Sequence, residues 1–193
     1  MSMREQTLKP DILECFKKKD NCKIQIVGAT NHDWTPKEGT GVTKPTKGMK
    51  IEIMVTEEEL ECSNTDANPV RRIDDYINLE PHPYVDKEGK VVYLKPSKLF
   101  QLETALGFEP QFVDDSGNSV EPYITKNGNK RCPKGASQKL NPEFLDAYFD
   151  SNDMPRFDAW MNKDILANIG VQKSNNELYG DRNTIKSYKA PLQ

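Results

Sequence analysis

Met49-Lys50-Ile51-Glu52-Ile53-Met54-Val55 alternates with period two. Met49, Ile51, Ile53 and Val55 fall on one face of an extended chain and Lys50 and Glu52 on the other, which predicts a half-buried strand. The same alternation stands upstream in Cys22-Lys-Ile-Gln-Ile-Val-Gly28, where Cys22, Ile24 and Ile26 alternate with Lys23 and Gln25. Between them, residues 31–48 are polar and rich in Gly and Pro, with Trp34 as a lone ring. The simplest arrangement pairs the two strands across that loop.

Outward from this pair, residues 7–19 read as a short helix with cations in its last turn. Residues 70–79 read as a third strand of broken alternation, followed by a turn-rich stretch holding Pro81, Pro83 and Gly89 and then by the run Val91-Val92-Tyr93-Leu94. Leu99, Leu102 and Leu106 recur at helical spacing over 97–106, with Ser97 as the expected cap and Gly107 as the stop. A second helix is expected over 142–150, where Asn141 caps, Pro142 takes the first helical position and Phe144, Leu145, Tyr148 and Phe149 form the apolar face. Residues 165–173 and 182–191 alternate again around a polar reversal, a terminal hairpin in which Lys186 and Tyr188 share a face.

These elements predict a mainly β domain, a five-stranded partly open barrel of the oligonucleotide-binding (OB) type with one or two short helices and long loops. A split antiparallel sheet carrying a helix would give nearly the same pattern. A single domain over 1–193 is expected, with the barrel core at about 20–110 and 160–190 and an insertion of basic loop and short helix at about 111–158.

The net charge of -3 conceals an uneven layout. Residues 51–125 carry 16 Asp+Glu against 6 Lys+Arg, whereas residues 126–150 carry 5 Lys+Arg against 3 Asp+Glu. Lys126 to Lys139 holds five cations and no anion, and Gly128, Pro133 and Gly135 argue against a helix or packed strand there. A mobile cationic loop is one electrostatic signature of a phosphate-backbone binder. Overall acidity argues against indiscriminate polyanion binding.

Catalytic signatures are lacking. The chain has no phosphate loop, no H-E-x-x-H, no G-x-S-x-G and only two histidines, His32 and His82. Gly39 and Gly41 read as turn chemistry. Asp74-Asp75 lie on a strand, where neighbours point to opposite faces, and Asp114-Asp115 begin a turn. Cys15, Cys22, Cys62 and Cys132 are too scattered for a zinc site and read as free thiols of a reducing cytoplasm. No cofactor, metal or catalysis is expected. With no apolar run of 18 residues and no signal peptide, neither is a membrane span.

Binding an unpaired strand requires cations along a groove and exposed rings for stacking. The candidate rings are Trp34, Tyr93, Tyr179 and Tyr188, with Tyr84 beside them. The candidate cations are Lys44, Lys47, Lys50, Arg71, Arg72, Lys130, Arg131, Lys134, Lys186 and Lys189.

Gly48 to Val55, then Lys95-Pro-Ser-Lys-Leu-Phe-Gln-Leu-Glu-Thr-Ala-Leu-Gly-Phe108, and last Asn183-Thr-Ile-Lys-Ser-Tyr-Lys-Ala-Pro191 follow one another in an order that resembles a family of short phage and mobile-element proteins. That family is regarded as single-stranded DNA-binding proteins of the OB fold. In it a strand leads to a helix ending in Leu-Gly, and the last strand reads Asn, a branched residue, a gap, an aromatic, then Pro. The resemblance covers about a quarter of the chain and implies a cytoplasmic, non-catalytic binder in DNA replication or recombination. It admits a recombinase or replication protein, or a second copy of the chain, as partner. The stretch from Gln111 to Lys139 is longer than the family pattern, and Ala190-Pro-Leu-Gln lacks an acidic recruiting tail. A different class of function would use the same fold as a phage or plasmid accessory for protein interaction. A nuclease with carboxylates drawn from distant strands is a third.

Overall fold

Ile24 and Ile26 lie at the centre of β1 (Lys19–Asn31), which extends past both anticipated ends of the first strand. The computed structural model describes residues 18–36, 38–39, 41–56, 72–126, 130–173 and 182–190. In chain order, β1 is followed by β2 (Gly48–Val55), β3 (Arg72–Asn78), β4 (His82–Val85), β5 (Val91–Leu94) and helix α1 (Ser97–Ala105). Four short strands come next, β6 (Gln111–Asp114), β7 (Tyr123–Ile124), β8 (Lys130–Arg131) and β9 (Ala136–Lys139). Helices α2 (Pro142–Tyr148) and α3 (Phe157–Trp160) then precede β10 (Lys163–Gln172) and β11 (Arg182–Lys189).

Five strands form one antiparallel sheet in the order β11-β10-β1-β2-β3. β1 serves both halves: Cys22 to Ile26 pair with β10, and Ile24 to Asn31 pair with β2. Between Ile26 and Gly28 its register against β2 slips, so that Val27 is an extra residue. Such a bulge bends the strand and increases its twist, and here it passes the inward phase from Ile26 to Ala29. The ends of the sheet then meet. No backbone ladder joins β3 to β11 among the described residues, but the Tyr188 hydroxyl of β11 donates to Asp75 Oδ2 of β3 at 2.7 Å. Lys98 Nζ on α1 reaches the same carboxylate at 2.6 and 2.8 Å, and Gln101 Oε1 accepts the Tyr188 backbone N–H at 3.0 Å. A β1–β2–β3 meander, a helix over the seam, a fourth barrel strand returning to the first and a fifth closing toward the third make a mainly β, OB-like, partly open barrel.

The core is the inner face of this sheet: Ile24, Ile26, Met49, Ile51, Ile53, Ile77 and Ile169 are fully buried. Leu99 and Leu102 on α1 plug one end. Each such side chain contributes about 1.5–3 kcal/mol relative to exposure. Phe144, Tyr148, Phe149 and Trp160 of α2, α3 and their junction extend it with rings 4.7–6.1 Å apart, all edge-to-face except the tilted Phe144–Tyr148 pair. Trp160 Nε1 donates to the Tyr148 carbonyl at 3.0 Å, so the indole is buried with its donor satisfied. As expected, Asn141 caps α2, its side chain accepting from Glu143 N at 2.9 Å.

Several expectations are corrected. The helix over 7–19 falls outside the described residues except at its end, where Lys19 pairs with Ile169 as the first residue of β1. Ser97 does not cap α1: the N-cap position is Pro96, with no side-chain hydrogen bond. The cationic stretch is not wholly irregular, because Lys130–Arg131 and Ala136–Lys139 are strands; antiparallel partners at 123–124 and 111–114 supply the pairing that composition hides. The terminal strand changes phase at an extra residue, Lys186, between Asn168↔Ser187 and Ile169↔Ile185. Ile185 and Tyr188 therefore both point inward, and Lys186 and Tyr188 do not share an outer face.

Three turns share one construction. Asp86, Asp114 and Asp150 each accept two backbone N–H groups on Oδ1, from residues two and four positions on. The residue at the third position has positive φ in every case: Gly89 (79°), Gly117 (83°) and Asp153 (59°). These N–H groups hold the Asp114 and Asp150 carboxyls below the usual carboxylate range. Asp114 therefore begins a turn, as its sequence context predicts. Among the described residues no helix is long and apolar enough to cross a membrane.

Candidate nucleic-acid interface

The outer face of β2 and β3 is read directly from the register. Lys50 lies opposite Thr30 and Tyr76, Glu52 opposite Gly28 and Asp74, and Met54 opposite Gln25 and Arg72. Asp74 and Asp75 separate as neighbours on a strand must: Asp74 is exposed and Asp75 lies inside the seam.

The loop after β1 closes over one end of this face. His32 N donates to Gly48 O at 2.9 Å, and Trp34 and Thr46 exchange backbone hydrogen bonds of 2.8 and 3.1 Å. Gly48 is required there, because a Cβ would stand 2.5 Å from the His32 carbonyl and 2.9 Å from Trp34 Nε1. Trp34 thus lies against bare backbone, and a ring cluster forms around it. His32 and Tyr76 are 4.7 Å apart, His32 and Trp34 5.0 Å, Trp34 and Tyr76 5.8 Å, and Trp34 and His82 6.0 Å. Both histidines of the chain are in this cluster. Trp34 Nε1 and His82 Nδ1 are buried without a hydrogen-bond partner. Tyr76 is exposed and Trp34 partly so, leaving ring surface at the rim.

The cations nearby already have partners. Lys47 Nζ is 3.0 Å from Asp153 Oδ2, which raises its pKa by hydrogen bonding and charge. Lys50 Nζ lies 2.9 Å from Asp74 Oδ2 and 3.2 Å from Glu52 Oε1, and these raise its pKa in turn. The exposed Lys47–Asp153 pair is worth about 0–1 kcal/mol, whereas Lys50 is half-buried between its two carboxylates. Lys44 and Arg72 are exposed.

The remaining candidates are scattered. Arg71 and Tyr179 lie outside the described residues. Tyr93 is 65% exposed, across from Pro83 on the β4–β5 hairpin. Lys130, Arg131 and Lys134 are exposed on the insertion, and Lys130 bonds Glu109. The Lys186 stem lies flat over Gly170, and Lys189 Nζ donates to Asn21 Oδ1 at 2.9 Å. Tyr188 cannot stack on a ligand: it is 4% exposed, and burial first, then the Asp75 charge, push its hydroxyl pKa well above 10. The structure therefore gathers Trp34, Lys47 and Lys50 and adds Tyr76, His32 and His82, which the sequence reading passed over. Tyr76 was detectable, since it keeps phase with Arg72 and Asp74 once Asp75 is granted an inward position.

Among the described residues no three His, Cys, Asp or Glu side chains gather as metal ligands. Cys132 is a free thiol. In comparisons with family models, with curated proteins and with solved structures, nothing matches this chain.

Proposed function

We propose that this chain is a non-catalytic single-stranded DNA-binding protein of phage or mobile-element replication or recombination. The observation that carries the reading is the Trp34–Tyr76–His32–His82 cluster at the rim of the β2–β3 face of an OB-like barrel. In barrels of this type that face and the loop after the first strand take oligonucleotides. Stacking on rings is sequence-tolerant and contributes about 1–3 kcal/mol per base. The family resemblance points to the replication or recombination setting.

Intrinsic fluorescence tests this without a label. The protein has two tryptophans, and Trp160 is fully buried, so quenching by an oligonucleotide reports Trp34. Quenching should saturate, and the affinity should fall with salt at a log-log slope of about -0.7 per phosphate neutralised. Tyr76→Ala should weaken binding roughly 5- to 150-fold, the equivalent of one lost stack. An unquenched signal with no salt-dependent binding at micromolar protein refutes the reading.

The β4–β5 hairpin favours the accessory reading, because Tyr84, Val85, Tyr93 and Leu94 are all exposed on a two-stranded ribbon. Apolar exposure of this extent marks interaction surfaces. Capture of a host protein that survives nuclease treatment, with no oligonucleotide binding, would select it.

A further inference from the structure

The insertion between α1 and α2 consists of two hairpins nested in sequence, β6 with β9 and β7 with β8. Its root is fixed. Phe112 is buried, and Glu103, fully buried on α1, accepts the backbone N–H of Asn141 and the Gln138 side-chain amide. The inner hairpin is different. Tyr123 pairs with Arg131 and Ile124 with Lys130, and all four side chains are exposed, Tyr123 by 55% and Ile124 by 59%.

Directly opposed residues of an antiparallel pair share a face, with Cβ atoms about 5 Å apart. Each face of the ribbon therefore sets one large apolar side chain beside one cation. A two-stranded ribbon of this length has little stability of its own, so folding does not account for an exposed tyrosine and isoleucine on it. The stretch 126–139 adds Lys126, Lys134 and Lys139 and contains no carboxylate, in a chain that is acidic overall. Charge complementarity selects a polyanion as occupant. A ring and a branched chain beside the cations select one whose bases are unstacked, since duplex DNA keeps its base faces covered.

We infer that the β7–β8 hairpin is a second contact for an unpaired polynucleotide, separate from the ring cluster. Tyr123 stacks a base on one face beside Arg131, Ile124 packs against a second base where the strand crosses to the other face beside Lys130, and Arg131 and Lys134 take the flanking phosphates. This rests on the single-strand-binding reading above and adds to it a length requirement, because only a strand that reaches beyond the barrel face can engage both.

The test compares oligothymidylates of about 8 nucleotides, within the span one barrel of this kind occupies, and about 25 nucleotides. Binding is followed by anisotropy, with Trp34 quenching as an independent reporter. A Tyr123→Ala and Ile124→Ser double variant should bind the long strand at least about 5-fold more weakly, leave the short strand unchanged and melt at the wild-type temperature. Changing Arg131 and Lys134 to Ala should reduce the salt slope for the long strand by about 1.4, two phosphates at about 0.7 each. Wild-type affinity of the double variant for both lengths, or equal weakening on both, overturns the hairpin contact and leaves the ring cluster standing. A loss confined to duplex DNA also overturns it. Failure of the wild-type protein to bind either oligonucleotide overturns both proposals together.

Discussion

Changing Tyr188 to Phe removes one oxygen atom from the seam of the barrel. That oxygen donates to Asp75 at 2.7 Å in a buried setting, and a hydrogen bond to a charged group is worth about 1.5–3 kcal/mol. Lys98 still reaches both Asp75 oxygens, so the carboxylate is not orphaned and the lower part of that range applies, about 1.5–2 kcal/mol. For a chain of 193 residues, each kcal/mol shifts the melting temperature by about 2–4 °C, which predicts a Tm lower by roughly 3–8 °C. Asp75→Ala should cost more, about 3 kcal/mol or above, because it leaves the Tyr188 hydroxyl buried without an acceptor and Lys98 without its counter-charge. Combined, the two changes should cost at least about 1 kcal/mol less than their sum, since each removes what the other needed. Urea denaturation of the four proteins measures this cycle. Alkaline titration provides a second readout. The folded state keeps the Tyr188 proton at pH values where the unfolded chain releases it, so this group's contribution to stability is full below pH 10 and is lost as pH rises above it. Tyr188→Phe should remove that part of the alkaline decline. Strict additivity with an unchanged alkaline limb would refute the seam as a coupled unit.

Two further outcomes are expected. Gly117 has φ of 83° and open space where a Cβ would go, so Gly117→Ala should cost about 1–2 kcal/mol from backbone strain alone, and Gly117→Asn less, by urea midpoint. Burial pushes the Glu103 carboxyl above its ordinary 4.5, against the pull of the Asn141 N–H and Gln138. The folded state therefore binds the extra proton, and stability contributed by this group is present below pH 4.5 and lost as pH rises through its folded value. Glu103→Gln should flatten that part of the pH–stability curve measured by thermal melting, and an unaltered curve would dismiss the assignment.

Where local pattern and tertiary role agree, the elements were legible in the chain. β2 alternates Met, Ile, Ile and Val without a break, α2 has its Asn-Pro start, and Gly107 follows α1 with φ of 92°. Legibility failed where a polar residue took an inward position or an extra residue changed the phase. Asp75 belongs inside only because Lys98 and Tyr188 arrive from α1 and β11, and without them its carboxylate reads as a mark of exposure. Lys186 turns Tyr188 inward through a register shift that depends on β10, which no pattern within β11 reveals. The ring cluster draws on three separate segments of chain, and only the closure of the loop by Trp34 and Thr46 brings His32 and Tyr76 together.

Because β1 is shared between β2 and β10, vectorial synthesis imposes a delay on this barrel. The ladder on one side of Ile24 and Ile26 can form once Val55 emerges, but the partners on the other side, Ile165 and Lys163, follow roughly a hundred residues later. At about 5–20 residues per second, that edge would stay open for roughly 5–20 s on the ribosome. During this interval an apolar strand edge can pair with a neighbouring nascent chain, so yield in expression should depend on how quickly the distal strands are delivered.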